Sequence, residues 1–253
     1  RKTMSTQVLA EFLLHVGDSQ LILSHRLAEW CGHAPELELD IALANIGLDL
    51  LGQARTALSL AGQIEGLGRD EDQLAYFRTE REYRNLLLAE QPNGDFAQTI
   101  VRQWLMDHYH ALLLAALTNS SHADVSAFAL KSLKEVKYHL RFSTTWMERL
   151  SLGTAEAHEK TQNGLNQLWR FTQELFQLSA DEIQLVDAGL IASYQFHRAE
   201  TKFNLPDRSK KQLLQIQCAA LTQAKQTQFL QSLQAVFQQF QVEVMQLEIR
   251  ESI

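Results

Sequence analysis

Four acidic side chains interrupt apolar rows in this chain of 253 residues. Asp18 stands in the row Leu14, Asp18, Leu21, His25, Ala28, and Asp107 in the row Ile100, Trp104, Asp107, Ala111, Leu114. Glu135 and His139 share the row Phe128, Ser132, Glu135, His139, Phe142, Trp146. Asp49 lies between two apolar rows, with Asn45 and Gln53 one turn to either side. The three-to-four-residue spacing puts each set on one helix face. Inward carboxylates on four helices are the raw material of a di-iron centre. Such a centre takes a Glu from each of two helices and a Glu-x-x-His pair from each of the other two. Carboxylates bridge the irons and imidazoles complete the shell.

The ligand set is broken. No Glu is followed by His three residues later. Glu135 has Tyr138 at that spacing and His139 one step too far, while Asp49 has Gly52. The one Asp-x-x-His runs from Asp107 to His110, where a lone carboxylate is needed. Carboxylates left without metal repel one another. They then take up protons or pair with Arg or Lys. Asp18, Asp49, Asp107, Glu135 and His139 therefore read as a relict polar cluster with neither a metal nor a catalytic residue. His15, His25, His33, His108, His122, His158 and His197 read as solvent or packing residues. The basic clusters Arg78–Arg84 and Arg208–Lys211 read as solvated faces, with an anionic ligand such as a CoA phosphate as the alternative.

Long helices must position these groups. The three prolines, at 35, 92 and 206, fall where helical patterns end, because an interior proline removes a hydrogen bond and clashes with the preceding turn. The patterns predict helices over about 5–30, 36–64, 95–117 and 124–150. Shorter ones are expected over 73–78, 79–90, 155–177 and 180–192. In the second long helix one row is Leu37, Ile41, Ala44, Leu48, Leu51 and another is Leu39, Leu43, Ile46, Leu50, Ala54, Ala57. Two apolar rows predict a helix buried on most sides. The fold class is all-α, a four-helix bundle with additional helices. A helical domain over 1–203 precedes a glutamine-rich tail over 204–253, which is expected to be helical or poorly ordered.

A net charge of -7 argues against nucleic acid, which selects a basic surplus. Cys31 and Cys218, far apart, suggest neither a disulfide framework nor a zinc site. No leader segment or bilayer-length apolar run is read, so a soluble, cytoplasmic protein away from membranes is expected. There is no phosphate loop, nucleophile elbow or CxxC pair.

Several segments resemble a known family. They are EWCGHAPELELDIALANIGLDLLGQAR over Glu29–Arg55, NLLLAEQPNG over Asn85–Gly94, KEVKYHLRFS over Lys134–Ser143 and LWRFT over Leu168–Thr172. The chain resembles the non-catalytic C subunits of bacterial phenylacetyl-CoA epoxygenases over about residues 10–190. From about Tyr194 the likeness fades into the tail. The resemblance implies a ferritin-like fold and a homologous catalytic partner subunit that holds the di-iron centre. It also implies a complex with smaller subunits and a reductase, which inserts one oxygen atom of O2 into the ring of phenylacetyl-CoA. On this reading the chain is structural and has no cofactor of its own. Phenylacetyl-CoA at the subunit interface is compatible with it. Two other readings stay open: a di-iron enzyme with unusual ligands, and a helical homo-oligomeric binding protein.

Overall fold

The computed structural model describes residues 2–176 and 180–190. The 203/204 boundary, His197, Arg208–Lys211 and the glutamine-rich tail lie outside the described residues. Among the described residues eight α-helices follow in order: α1 Lys2–Ala28, α2 Leu37–Glu65, α3 Glu71–Tyr76, α4 Leu87–Glu90, α5 Phe96–Leu117, α6 Ala123–Leu152, α7 Ala155–Leu168 and α8 Ala180–Asp187. The described residues contain no strand.

Local chemistry sets the ends. The Asp95 carboxylate accepts from the Gln98 amide and starts α5, and the Thr154 hydroxyl does the same for Ala157 in α7; each satisfies an amide that the first turn leaves free. At α3 the Asp70 carboxylate and the Gln73 side chain cap each other's amides reciprocally. Gly66 ends α2 in the left-handed conformation (φ 72°), its amide bonded to the Gly62 carbonyl.

The helices α1 and α2 form one antiparallel hairpin, and α5 and α6 a second. The connection of residues 66–95 carries the chain between them, and α2 lies beside α6. Two hairpins joined by one long crossover are the ferritin-like topology. Leu13, Leu23, Leu43, Ile46, Leu50, Ile100, Met106, Val136 and Met147 form the centre of one apolar core. The α7 helix crosses α5 so closely that a Cβ on Gly164 would stand 2.9 Å from the Gln98 Cα. Backbone cannot yield as a side-chain tip can. Gly164→Ala is expected to cost about 1–3 kcal/mol, and a urea midpoint equal to that of the unaltered chain would refute this contact.

Three expectations need correction. Residues 79–90 do not form a helix. One 3₁₀ turn, Glu80–Glu82, is followed by extended backbone and only four residues of α4. Tertiary bonds override the local pattern: the Arg84 amide donates to Asp18 (2.8 Å) and the Leu86 amide to the Ser19 hydroxyl (3.0 Å). The helix expected to 177 stops at Leu168 and continues as 3₁₀ turns, Trp169–Phe171 and Gln173–Phe176. The third correction concerns α2. The Leu39 row is buried, but Leu37, Ile41, Leu48 and Leu51 are 72, 53, 65 and 39% exposed.

Candidate functional site

The facing stripes of α1, α2, α5 and α6 bring polar side chains into three successive levels of the bundle. At one level the Gln20 amide donates to the Gln53 carbonyl oxygen (2.9 Å), and Gln53 donates to Glu135 (2.8 Å). One turn along α6, His139 Nε2 lies 2.9 Å from Asp49 Oδ2. A carboxylate only accepts, so this ring nitrogen carries the proton. At the third level the Ser143 hydroxyl (2.7 Å) and the Gln103 amide (2.6 Å) both donate to Asp107. Helical spacing generates these levels: Asp49 and Gln53, Gln103 and Asp107, and Glu135, His139 and Ser143 are each four residues apart.

Burial then decides the charge states. Asp107 is fully enclosed, and burial pushes its carboxyl up to about 7 against the pull of the Ser143 and Gln103 hydrogen bonds. His110, on the same face of α5, is held down to about 3 by burial, with His139 and His15 adding to the effect. Both its ring nitrogens lack a hydrogen-bond partner among the described residues, as does His139 Nδ1. Burial also lowers His139, opposed by Asp49. At neutral pH this centre holds neutral imidazoles and a carboxyl that keeps much of its proton. Only Asp49 and Glu135 reach the rim, where the Asp49 side chain is 40% exposed.

Asp18 sits elsewhere. It is fully buried on the side of α1 that faces the crossover, in a two-armed ion pair with Arg78, whose side chain is only 5% exposed. The expectation that Arg78–Arg84 forms a solvated face is wrong at Arg78. A buried aspartate demands a cation, and Arg78 supplies it while also binding the Leu74 and Glu82 carbonyls and lying over the Tyr83 ring. Among the sequence-predicted residues, Asp49 and His139 meet directly, and Glu135 joins α2 through Gln53. Asp107 and Asp18 each bind other partners.

These residues do not fit a di-iron centre. Gln53 on α2 and His139 on α6, the buried nitrogen-bearing side chains of the first two levels, are each preceded three residues earlier by a buried aliphatic residue, Leu50 and Val136. Each helix keeps a nitrogen-bearing side chain where an imidazole is needed and has an aliphatic one where the bridging carboxylate is needed. The stripe of α1 offers Gln20 at the same level. Among the described residues, no three His, Cys, Asp or Glu side chains are grouped closely enough to hold a metal ion.

Sequence reasoning missed Gln20, Gln103 and Arg78. Gln20 and Gln103 carry a usable signal, an uncharged polar residue within an apolar stripe of a bundle helix. Arg78 carries none, because its partner is 60 residues away. Asn93 and Gly94 form the turn that precedes α5. Asn93 donates to the Arg26 carbonyl (2.7 Å) and accepts from the buried Arg102 guanidinium (2.5 Å), and Gly94 has φ 60°.

No helix among the described residues is long and apolar enough to cross a membrane. The family described as phenylacetic acid catabolic protein matches residues 1–247, a span that includes most of the tail in which the quoted motifs fade. Over 191 residues the chain is 52% identical to the C subunit of the 1,2-phenylacetyl-CoA epoxidase of Escherichia coli (strain K12). That alignment covers 76% of this chain and 77% of the relative.

Proposed function

Since the chain belongs to the phenylacetic acid catabolic protein family, we propose that it is the structural, non-catalytic subunit of a phenylacetyl-CoA epoxidase. The observation that carries this reading is the pair Leu50 and Val136. An aliphatic side chain cannot bridge two irons, and both helices that should supply a bridging carboxylate present one. The chemistry then belongs to a homologous partner subunit with an intact ligand set. Smaller subunits and a reductase complete the complex.

The chain contributes rigidity and surface. Its polar levels are bonded helix to helix, which fixes the mutual register of α1, α2, α5 and α6 without a metal. A bundle with a fixed register offers its partner an unchanging face. Support for a phenylacetyl-CoA complex comes from the relative's name, not from a pocket in this chain.

Iron analysis tests the reading. The purified chain alone is expected to carry no stoichiometric iron, and the complex with the catalytic subunit about two irons per pair. Stoichiometric iron in the isolated chain, with oxygen consumption in the absence of a partner, would make it an oxygenase instead.

A further inference from the structure

We propose that the outer stripe of α2 is a docking seam for a long helix of a different subunit, one that brings an arginine or lysine to Asp49 and Glu135. The inference rests on the reading of the chain as one subunit of a hetero-oligomer.

The spacing identifies the kind of occupant. Leu37, Ile41, Ala44, Leu48 and Leu51 follow steps of four, three, four and three residues. This is the 3.5-residue period of a seam between two helices, narrower than the apolar face that buries a helix in a core. The core-facing row of α2 is separate and already buried, so the outer row serves nothing within the described chain. Four of its five residues are exposed, Leu37 and Leu48 by about two thirds or more (72 and 65%). Tyr138, exposed on α6 one turn from Glu135, extends the apolar surface across the α2–α6 boundary.

Charge identifies the occupant further. From Glu36 to Ala54 the helix and its cap carry Glu36, Glu38, Asp40 and Asp49 and no basic residue. A helix laid on the stripe removes water from Asp49 and from Glu135 beside it. A carboxylate losing water needs a cation or donors. Among the described residues, Asp49 has the neutral His139, and Glu135 has the Gln53 amide. Arg55, at the end of the stripe, is bonded to Glu71. A second copy would set this acidic stretch against itself in either direction. The seam therefore suits a basic, apolar helix face supplied by another chain.

The test uses the full chain co-expressed with the catalytic subunit. Leu48→Asp and Ile41→Asp are each expected to weaken the complex by about 30-fold, the scale of a central interface residue. The isolated variants should keep the helical signal of the unaltered chain and nearly its melting temperature, because both side chains are more than half exposed. Leu130→Asp, at a residue 54% exposed on α6, should leave the complex intact. A photo-reactive phenylalanine at Ala44 serves as a second measurement that needs no charged substitution. Its cross-link is expected on a helix of the other subunit, at a position with a basic residue within one turn. A complex indifferent to both aspartate substitutions, or a cross-link to a second copy of the chain, overturns the seam. If the partner then still carries the iron and the chain does not, the structural reading survives its loss. A chain that assembles with no other subunit and binds iron itself overturns both.

Discussion

Arg78→Met is expected to destabilise the fold by about 3–5 kcal/mol, the cost of leaving a buried charge without its partner. Methionine retains most of the aliphatic stem, so the loss reads the charge and not the packing. The burial of the pair sets the scale. Asp18 has no exposed surface and the Arg78 side chain is 5% exposed, whereas an ion pair in water contributes about 0–1 kcal/mol. Without Arg78 the aspartate keeps the Arg84 amide alone among its long-range partners. The single change also releases the crossover: Arg78 holds the Leu74 and Glu82 carbonyls, and Asp18 orders Arg84. Asp18→Leu combined with Arg78→Met should recover much of the loss, because apolar replacement of a whole buried pair is often neutral. Urea denaturation of both single variants and the double variant gives the coupling directly. A loss below about 1 kcal/mol for Arg78→Met, in the range of an exposed pair, would contradict the assignment.

That ion pair also marks how far the sequence is legible. Inward rows at helical spacing place the four long helices within a few residues, because each has a core-facing stripe to bury. The crossover is different. The segment 79–90 has helical composition, but its amides are taken by Asp18 and Ser19 on α1, and no local pattern records a bond across more than 60 residues. The outer row of α2 is legible as a row and illegible as to its environment. Leu37, Ile41, Ala44, Leu48 and Leu51 look like a second core face until the bundle is assembled, when the four larger side chains stand exposed among the described residues. At the site, the broken Glu-x-x-His pattern is plain from spacing alone. Which residues stand in the vacated ligand positions is not. Leu50 and Val136 are ordinary core residues in sequence, and only the inward pairing with Gln53 and His139 gives them meaning.

Asp107→Asn is expected to stabilise the protein, and by an amount that grows with pH. The ordinary carboxyl value is 3.8, and burial pushes Asp107 up to about 7. Below about pH 4 the folded and unfolded chains both hold the proton, so the carboxyl contributes no difference. As pH rises, the unfolded chain releases its proton first, while the folded chain keeps it or must ionise a carboxylate with no cation beside it. The penalty builds across this window and is complete above about pH 7, where it reaches about 4 kcal/mol at 1.36 kcal/mol per pH unit. Asparagine removes it and conserves the local bonds: its carbonyl oxygen accepts from Gln103, and its amide donates to the Ser143 hydroxyl. The gain should be near zero at about pH 4 and largest at about pH 8, measured as the difference in unfolding free energy between variant and unaltered chain. A difference independent of pH, or a loss at pH 8, would mean that Asp107 is ionised in the fold with a counter-charge the structure does not place there. The same result bears on function. A carboxylate that bridges metals must be deprotonated to do so. A bundle that grows more stable when Asp107 can no longer ionise keeps this carboxyl largely protonated through burial near neutral pH.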